Sequence, residues 1–288
     1  MLNVAYLEKI IHQTSKEKLS CKVDKLGASS QRKTYSCEYE GVKYKVRECF
    51  SENDAKDIER RILDVCHLDL FPTYLGRSKE WIFFEYLDFP EAKRNESNIF
   101  WHNLGYSIAK LETIAPDKID VGFGIEKSPV LKKHLNIYLH ECVNQLQKSG
   151  YLQRNEMLKI QESFNYFLNQ NPQSCYSYLD LLPGNIMTDN EKIIFVDEEG
   201  LAGSFQGMSL IRALDIWKSP SPPQGLTLNE KEELFEGYQK GGSDCEFFEK
   251  NELHLGIIYY LIKSSDSVQC SGTTNKSIKQ LYSKLRLL

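Results

Sequence analysis

Between Tyr178 and Glu199 the chain places two carboxylates and a side-chain amide in a fixed order. The segment opens Tyr178-Leu179-Asp180-Leu181-Leu182-Pro183-Gly184-Asn185-Ile186 and closes Phe195-Val196-Asp197-Glu198-Glu199. Asp180 and Asn185 stand five residues apart, and Asp197 ends the apolar run Ile193-Ile194-Phe195-Val196, twelve residues after Asn185. Asp189-Asn190 is a turn signal, so the interval is predicted to be a hairpin that returns Asp197 to the side of Asn185. Phosphoryl transfer from a nucleotide calls for this set of groups. Its phosphates need neutralising, and an acceptor hydroxyl must be held in line. Mg²⁺ serves the first need and prefers hard oxygen ligands such as carboxylates and amide carbonyls. A carboxylate beside the hydroxyl serves the second, by orienting it and taking its proton.

The elements around this segment change character along the chain. Residues 20–50 alternate aromatic and β-branched residues around a turn at Glu40-Gly41 and are predicted to be strands. Residues 52–66 switch to helical spacing, with Ala55, Ile58, Ile62 and Val65 on one face. The short apolar run 81–87 suits a buried strand. Residues 97–114 return to helix through Phe100, Leu104, Ile108 and Leu111. Two helices follow over 130–170 with a break near Gly150. Further helices are predicted over 228–240, over 246–264 and at the C-terminus. A β-rich start and a helical remainder predict two lobes, with a boundary near residue 88.

Bulk properties narrow the function. The 288 residues carry 36 basic and 40 acidic side chains, a net charge of −4, so nucleic acid is a poor default partner. No apolar run reaches the roughly 18–20 residues of a membrane helix, and the N-terminal residues read as an amphipathic helix, not a signal peptide. The eight cysteines show no CxxC pair and the six histidines no ligand spacing, so a cytoplasmic protein with reduced thiols is expected. Oligomeric state is not legible. No Ser–His–Asp arrangement and no dinucleotide GxGxxG competes with the 178–199 segment.

That segment resembles the aminoglycoside phosphotransferase and choline kinase family, whose usual form is H-G-D-x-x-x-x-N, then hydrophobic residues and D-x-E. The resemblance spans roughly residues 20–240. It implies a bilobal α+β protein-kinase-like fold, with a small β-rich N-terminal lobe (1–88) that binds nucleotide. The larger, mostly helical C-terminal lobe (89–288) would hold the catalytic loop and the acceptor pocket. It implies transfer of the γ-phosphoryl group of ATP, or GTP, to a hydroxyl of a small molecule such as an aminoglycoside-like antibiotic, an amino alcohol, a sugar or a vitamin. Asp180 would be the catalytic base, and Asn185 and Asp197 the Mg²⁺ ligands.

In the N-terminal lobe, Gly27, Ser29 and Ser30 resemble the family's phosphate loop, where backbone N–H groups cradle phosphates. The strand Val42–Glu48 carries Lys43, Lys45 and Arg47 on one face. The family register selects Arg47, with Lys45 second, to steady the phosphates, and Glu59 as its partner on the next helix. The hinge would offer backbone groups around Glu85 and Leu87 to adenine. Tyr178 stands where the family has His, and Leu179 where it has Gly. Ser209-Leu210-Ile211 stands near a D-L-A-type Asp that braces the catalytic loop. Leu179 and Ser209 are also what a non-catalytic binding protein of this fold would show. An atypical protein kinase is the other alternative, but no A-P-E-like anchor follows Asp197.

Overall fold

The computed structural model describes residues 23–28, 33–39, 42–92, 97–116, 131–189, 192–216, 226–271 and 275–288. The chain divides into two compact units. One comprises Met1–Lys93 with Pro183–Glu199, and the other Arg94–Leu182 with Gly200–Leu288. A boundary near residue 88 places the hairpin after Pro183 with the helices. In the structure it groups with the N-terminal strands.

The first unit is built on an antiparallel sheet of β1 (Val23–Ala28), β2 (Lys33–Tyr39), β3 (Val42–Glu48), β4 (Tyr74–Ser78) and β5 (Trp81–Glu85), in the order β1-β2-β3-β5-β4. Side chains alternate across a strand. Tyr44 and Val46 therefore join Cys37 and Phe83 in one buried cluster, and Lys45 and Arg47 take the other face. β5 is covered on both faces, since Ile82, Phe83 and Phe84 are all fully buried. Helix α1 (Glu52–Val65) starts at Ser51, whose hydroxyl accepts the Asp54 N–H at 3.2 Å. It buries Ala55, Ile58, Ile62 and Val65, the face that the spacing predicts.

The hairpin β7 (Ile186–Thr188) and β8 (Ile193–Phe195) pairs Ile186 with Phe195. Main-chain bonds fasten it within the same unit. Phe195 N–H donates to Leu70 O at 2.8 Å, Ala92 N–H to Ile186 O at 2.8 Å and Thr188 N–H to Pro90 O at 3.0 Å. These bonds explain why the hairpin groups with the sheet.

The second unit contains helices α2 (Asn98–Glu112), α3 (Leu131–Lys148) and α4 (Arg154–Asn169). The strand pair β6 (Ser174–Tyr178) and β9 (Leu201–Phe205) follows. Helices α5 (Met208–Ile216), α6 (Leu228–Lys240), α7 (Cys245–Ser271) and α8 (Asn275–Leu285) complete it. None of the described helices is long and apolar enough to cross a membrane. Helices α2 and α6 touch backbone to backbone. A Cβ on Gly237 would sit 1.8 Å from the His102 carbonyl oxygen, and one on Gly105 2.0 Å from that of Leu234. Only glycine permits that approach.

At the end of α2, Glu112 is buried and ties three segments together. It accepts the Tyr238 hydroxyl from α6, the Ser243 hydroxyl at 3.5 Å, and the Gly207 N–H at 2.9 Å just ahead of α5. Burial pushes its pKa from 4.5 up to about 8, although those three hydrogen bonds pull the other way.

The raised pKa fixes the sign of a pH effect. The folded state keeps a proton that the unfolded chain releases above pH 4.5. Stability therefore falls as pH rises from about 4.5 to about 8 and then levels, by roughly 3–5 kcal/mol from this group. Glu112→Gln, which mimics the protonated acid, is expected to flatten that slope in urea unfolding measured between pH 5 and 8. An unchanged slope would remove Glu112 as its source. Gly237→Ala is expected to lose about 2–3 kcal/mol or more in the same assay, because backbone and not a flexible side chain must move.

Candidate active site

In the first unit, β3 delivers two cations to the three consecutive acids that follow β8. Arg47 Nη1 donates to Asp197 Oδ1 at 2.8 Å and to Glu198 Oε2 at 3.1 Å, and Nη2 donates to Glu199. Lys45 Nζ donates to Glu198 Oε1 at 2.6 Å and to the Val196 carbonyl. Glu198 is fully buried, and Arg47 nearly so. Burial alone would lower the Arg47 pKa, but the carboxylates of Asp197 and Glu198 outweigh it and raise it. Two cations from one strand face thus meet three consecutive carboxylates.

Asn185 adjoins these acids through the hairpin register. The N–H of Val196 donates to the Asn185 carbonyl at 3.0 Å, which sets the residue before Asp197 directly against Asn185. Both side chains are partly exposed. A carboxylate and an amide at the base of one hairpin, both partly open, suit Mg²⁺ in donor type.

The expected pairing of Glu59 with β3 is not what the structure shows. Glu59 accepts Arg77 Nε at 2.7 Å and the Tyr74 hydroxyl, both from β4. Both Nη atoms of Arg47 are taken by residues 197–199, and α1 finds its cation on β4 instead. Of the remaining predicted nucleotide residues, Gly27 lies where the β1–β2 register shifts. Ser29 and Ser30 fall outside the described residues. Glu85 ends β5, exposed, with its carboxylate accepting the Thr73 hydroxyl at 2.7 Å, and Leu87 follows, half-buried.

In the second unit, Asp180 stands just past β6 with its side chain 42% exposed. The loop before it is held by buried backbone bonds. Tyr178 N–H donates to the Ser209 hydroxyl at 2.9 Å, and Leu179 N–H to Gly200 O at 2.7 Å. Ser209 is fully buried on α5. It therefore fills the bracing role that an Asp has in the family resembled, with a shorter neutral acceptor. Gly200 lies under the loop, where a Cβ would be 2.8 Å from the Tyr178 ring and 3.1 Å from the Asp180 Cβ. Leu181 is fully buried and anchors the loop from the other side. Near Asp180, Arg212 of α5 brings Nη2 to 3.8 Å from Oδ1.

Sequence reasoning missed Glu198, Gly200 and Arg212. For Glu198 a signal existed: two cations on one strand face and a run of three acids form a matched set. For Gly200 and Arg212 no local pattern marks the role.

No family model and no curated protein matches the sequence. Solved structures do. The chain is similar to choline kinase from Cryptosporidium parvum Iowa II, with a TM-score of 0.66 at 12% identity, over 99% of this chain and 96% of that one. It is similar to an ethanolamine kinase from Plasmodium vivax, with a TM-score of 0.64 at 12% identity, over 99% and 87%. The ADP-bound aminoglycoside phosphotransferase APH(2'')-Ib matches with a TM-score of 0.59 at 13% identity, over 99% and 97%. At such identities the likeness establishes the fold. This chain has the protein-kinase-like fold that choline kinases and aminoglycoside phosphotransferases share, as the motif at 178–199 implies.

Two substitutions test the supports just described. Arg47→Met leaves Glu198 buried with only Lys45 against it, and a loss of about 3–5 kcal/mol is expected in urea unfolding. Ser209→Ala leaves the buried Tyr178 N–H without its acceptor, at a cost of about 1–3 kcal/mol. If Ser209→Ala unfolds at the wild-type urea concentration, the hydroxyl is not the brace.

Proposed function

We propose that this protein is a small-molecule kinase that transfers the γ-phosphoryl group of ATP to an alcohol hydroxyl. One observation carries the reading: on a kinase-like fold, the cations of β3 converge on the acidic run that starts at Asp197, at the foot of the hairpin that begins after Asn185. That is the arrangement by which a nucleotide-binding unit holds phosphates and metal together.

Each residue then has a chemical task. Asp180 orients the acceptor hydroxyl and accepts its proton as the oxygen attacks the γ-phosphorus and the bond to the ADP oxygen breaks. Asn185 and Asp197 hold Mg²⁺, and the bound ion neutralises phosphate charge and polarises the transferring group. Arg47, backed by Lys45, steadies the phosphates. The Gly27-Ser29-Ser30 turn cradles phosphates, and the backbone around Glu85–Leu87 receives adenine. Glu59 acts indirectly, by fixing Arg77 and α1 against the sheet. The candidate acceptors are an aminoglycoside-like antibiotic, an amino alcohol, a sugar or a vitamin.

The two alternatives lose support on specific grounds. β9 follows Gly200 directly and α5 begins at Met208, which leaves no room for the activation segment of a protein kinase. A non-catalytic binding protein was suggested by Leu179 and Ser209. Yet Ser209 still braces the loop, and Leu179 still makes its main-chain bond to Gly200.

Thermal unfolding with ATP, with and without Mg²⁺, gives the first test, and Mg²⁺-dependent stabilisation is expected. Asp180→Asn is expected to keep that stabilisation and to lower turnover by at least about 100-fold. Asp197→Ala is expected to lose its Mg²⁺-dependent part. Nucleotide and Mg²⁺ without any effect on the melting temperature would sink the kinase reading. An active Asp180→Asn enzyme would remove that residue as the base.

A further inference from the structure

In the helical unit a guanidinium, that of Arg212, stands beside Asp180, which bears on the kind of acceptor it can meet. Arg212 stands 3.8 Å from Asp180, outside hydrogen-bond range, so the carboxylate does not saturate it. Its side chain is 12% exposed. Its Nε is buried and has no hydrogen-bond partner among the described residues. A guanidinium has five N–H donors in a fixed fork, and one held this way has donors to spare.

The neighbouring ring is already committed to cations. The Arg212 guanidinium lies 5.9 Å from the centroid of Tyr259 on α7. One turn further along α7, Lys263 Nζ lies 5.6 Å from the same centroid and donates to the Tyr259 hydroxyl at 3.3 Å. Recognition of an ammonium group by such a site would require an open aromatic face or acidic side chains. Here a cationic acceptor would meet the Arg212 guanidinium instead. An anionic acceptor would meet the attractive charge of Arg212, which offsets the repulsion from Asp180.

We propose that the acceptor carries an anionic group, carboxylate or phosphate, near the hydroxyl that is phosphorylated, and that Arg212 binds that group. This rests on the kinase reading for the role of Asp180. It sets the chain apart from enzymes that act on positively charged amino alcohols or aminoglycosides. Arg212 is a specificity-determining residue, because its planar fork matches the geometry of either oxyanion.

Calorimetric titration of the Mg²⁺–AMP-PNP-loaded protein tests it with five probes: gluconate, glucose 6-phosphate, glucose, choline and kanamycin. Gluconate or glucose 6-phosphate is expected to bind at least about tenfold more tightly than glucose, choline or kanamycin, with the better of the two naming the anion. Arg212→Gln is expected to weaken that binding by about 10–100-fold, and Arg212→Lys to restore part of it. AMP-PNP affinity should stay unchanged in both variants. Choline or kanamycin binding more tightly than both anions overturns the proposal, as does a failure of both anions to bind the wild-type protein. So does an Arg212→Gln protein with unaltered anion affinity. If the variants do not fold, the wild-type ranking decides alone. The nucleotide titration is read separately. Loss of AMP-PNP binding with anion binding intact would defeat the kinase reading and leave the anion site standing.

Discussion

The buried ion cluster of Lys45 and Arg47 with Asp197, Glu198 and Glu199 is the interaction on which the candidate site of the first unit depends. Five charges are removed wholly or partly from water, and such groups persist only when they are paired and hydrogen-bonded. Glu198 has no exposure at all and is satisfied from two sides, by a lysine and an arginine two residues apart on one strand face. The cost of leaving any member unpaired makes the geometry selective. The hairpin register, the strand register and the position of Asp197 must all be correct together. A buried ionic cluster adds little net stability over an apolar core, so its value here is in specifying one arrangement.

The cluster also explains why the sheet is wired differently from what the family register suggests. With Arg47 committed to three carboxylates, Glu59 on α1 pairs with Arg77 and Tyr74 of β4. The helix is still held to the sheet by a charged, hydrogen-bonded contact, but at another strand.

In the helical unit the corresponding constraint is the loop carrying Asp180. It is fixed through its backbone: by Ser209 beneath Tyr178, by the Gly200 carbonyl beyond Leu179, and by the missing Cβ of Gly200. The segment just ahead of α5, the helix that supplies Ser209 and Arg212, is in turn anchored where Gly207 donates to buried Glu112. A carboxyl with a pKa near 8 thus holds the N–H of Gly207, two residues ahead of Ser209. Its protonation bears on the stability of the same helix that organises Asp180.

The sequence by itself determined what depends on local periodicity and chain order. The alternation of β3 put Lys45 and Arg47 on one face and Tyr44 and Val46 on the other. The helical spacing of Ala55, Ile58, Ile62 and Val65 set the buried face of α1. The turn signal at Asp189-Asn190 between two short apolar runs set the hairpin that returns Asp197 to the side of Asn185. Only the tertiary structure decided which partner each charged group takes. Arg47 and Asp197 are 150 residues apart, and nothing local distinguishes them from Arg47 with Glu59. It also showed that Ser209 replaces an aspartate as a brace, that Glu112 is buried and three-fold hydrogen-bonded, and that Arg212 faces Asp180. Several acids can satisfy the same cation with equal chemistry, and the choice among them is made by burial and distance, which sequence spacing does not encode.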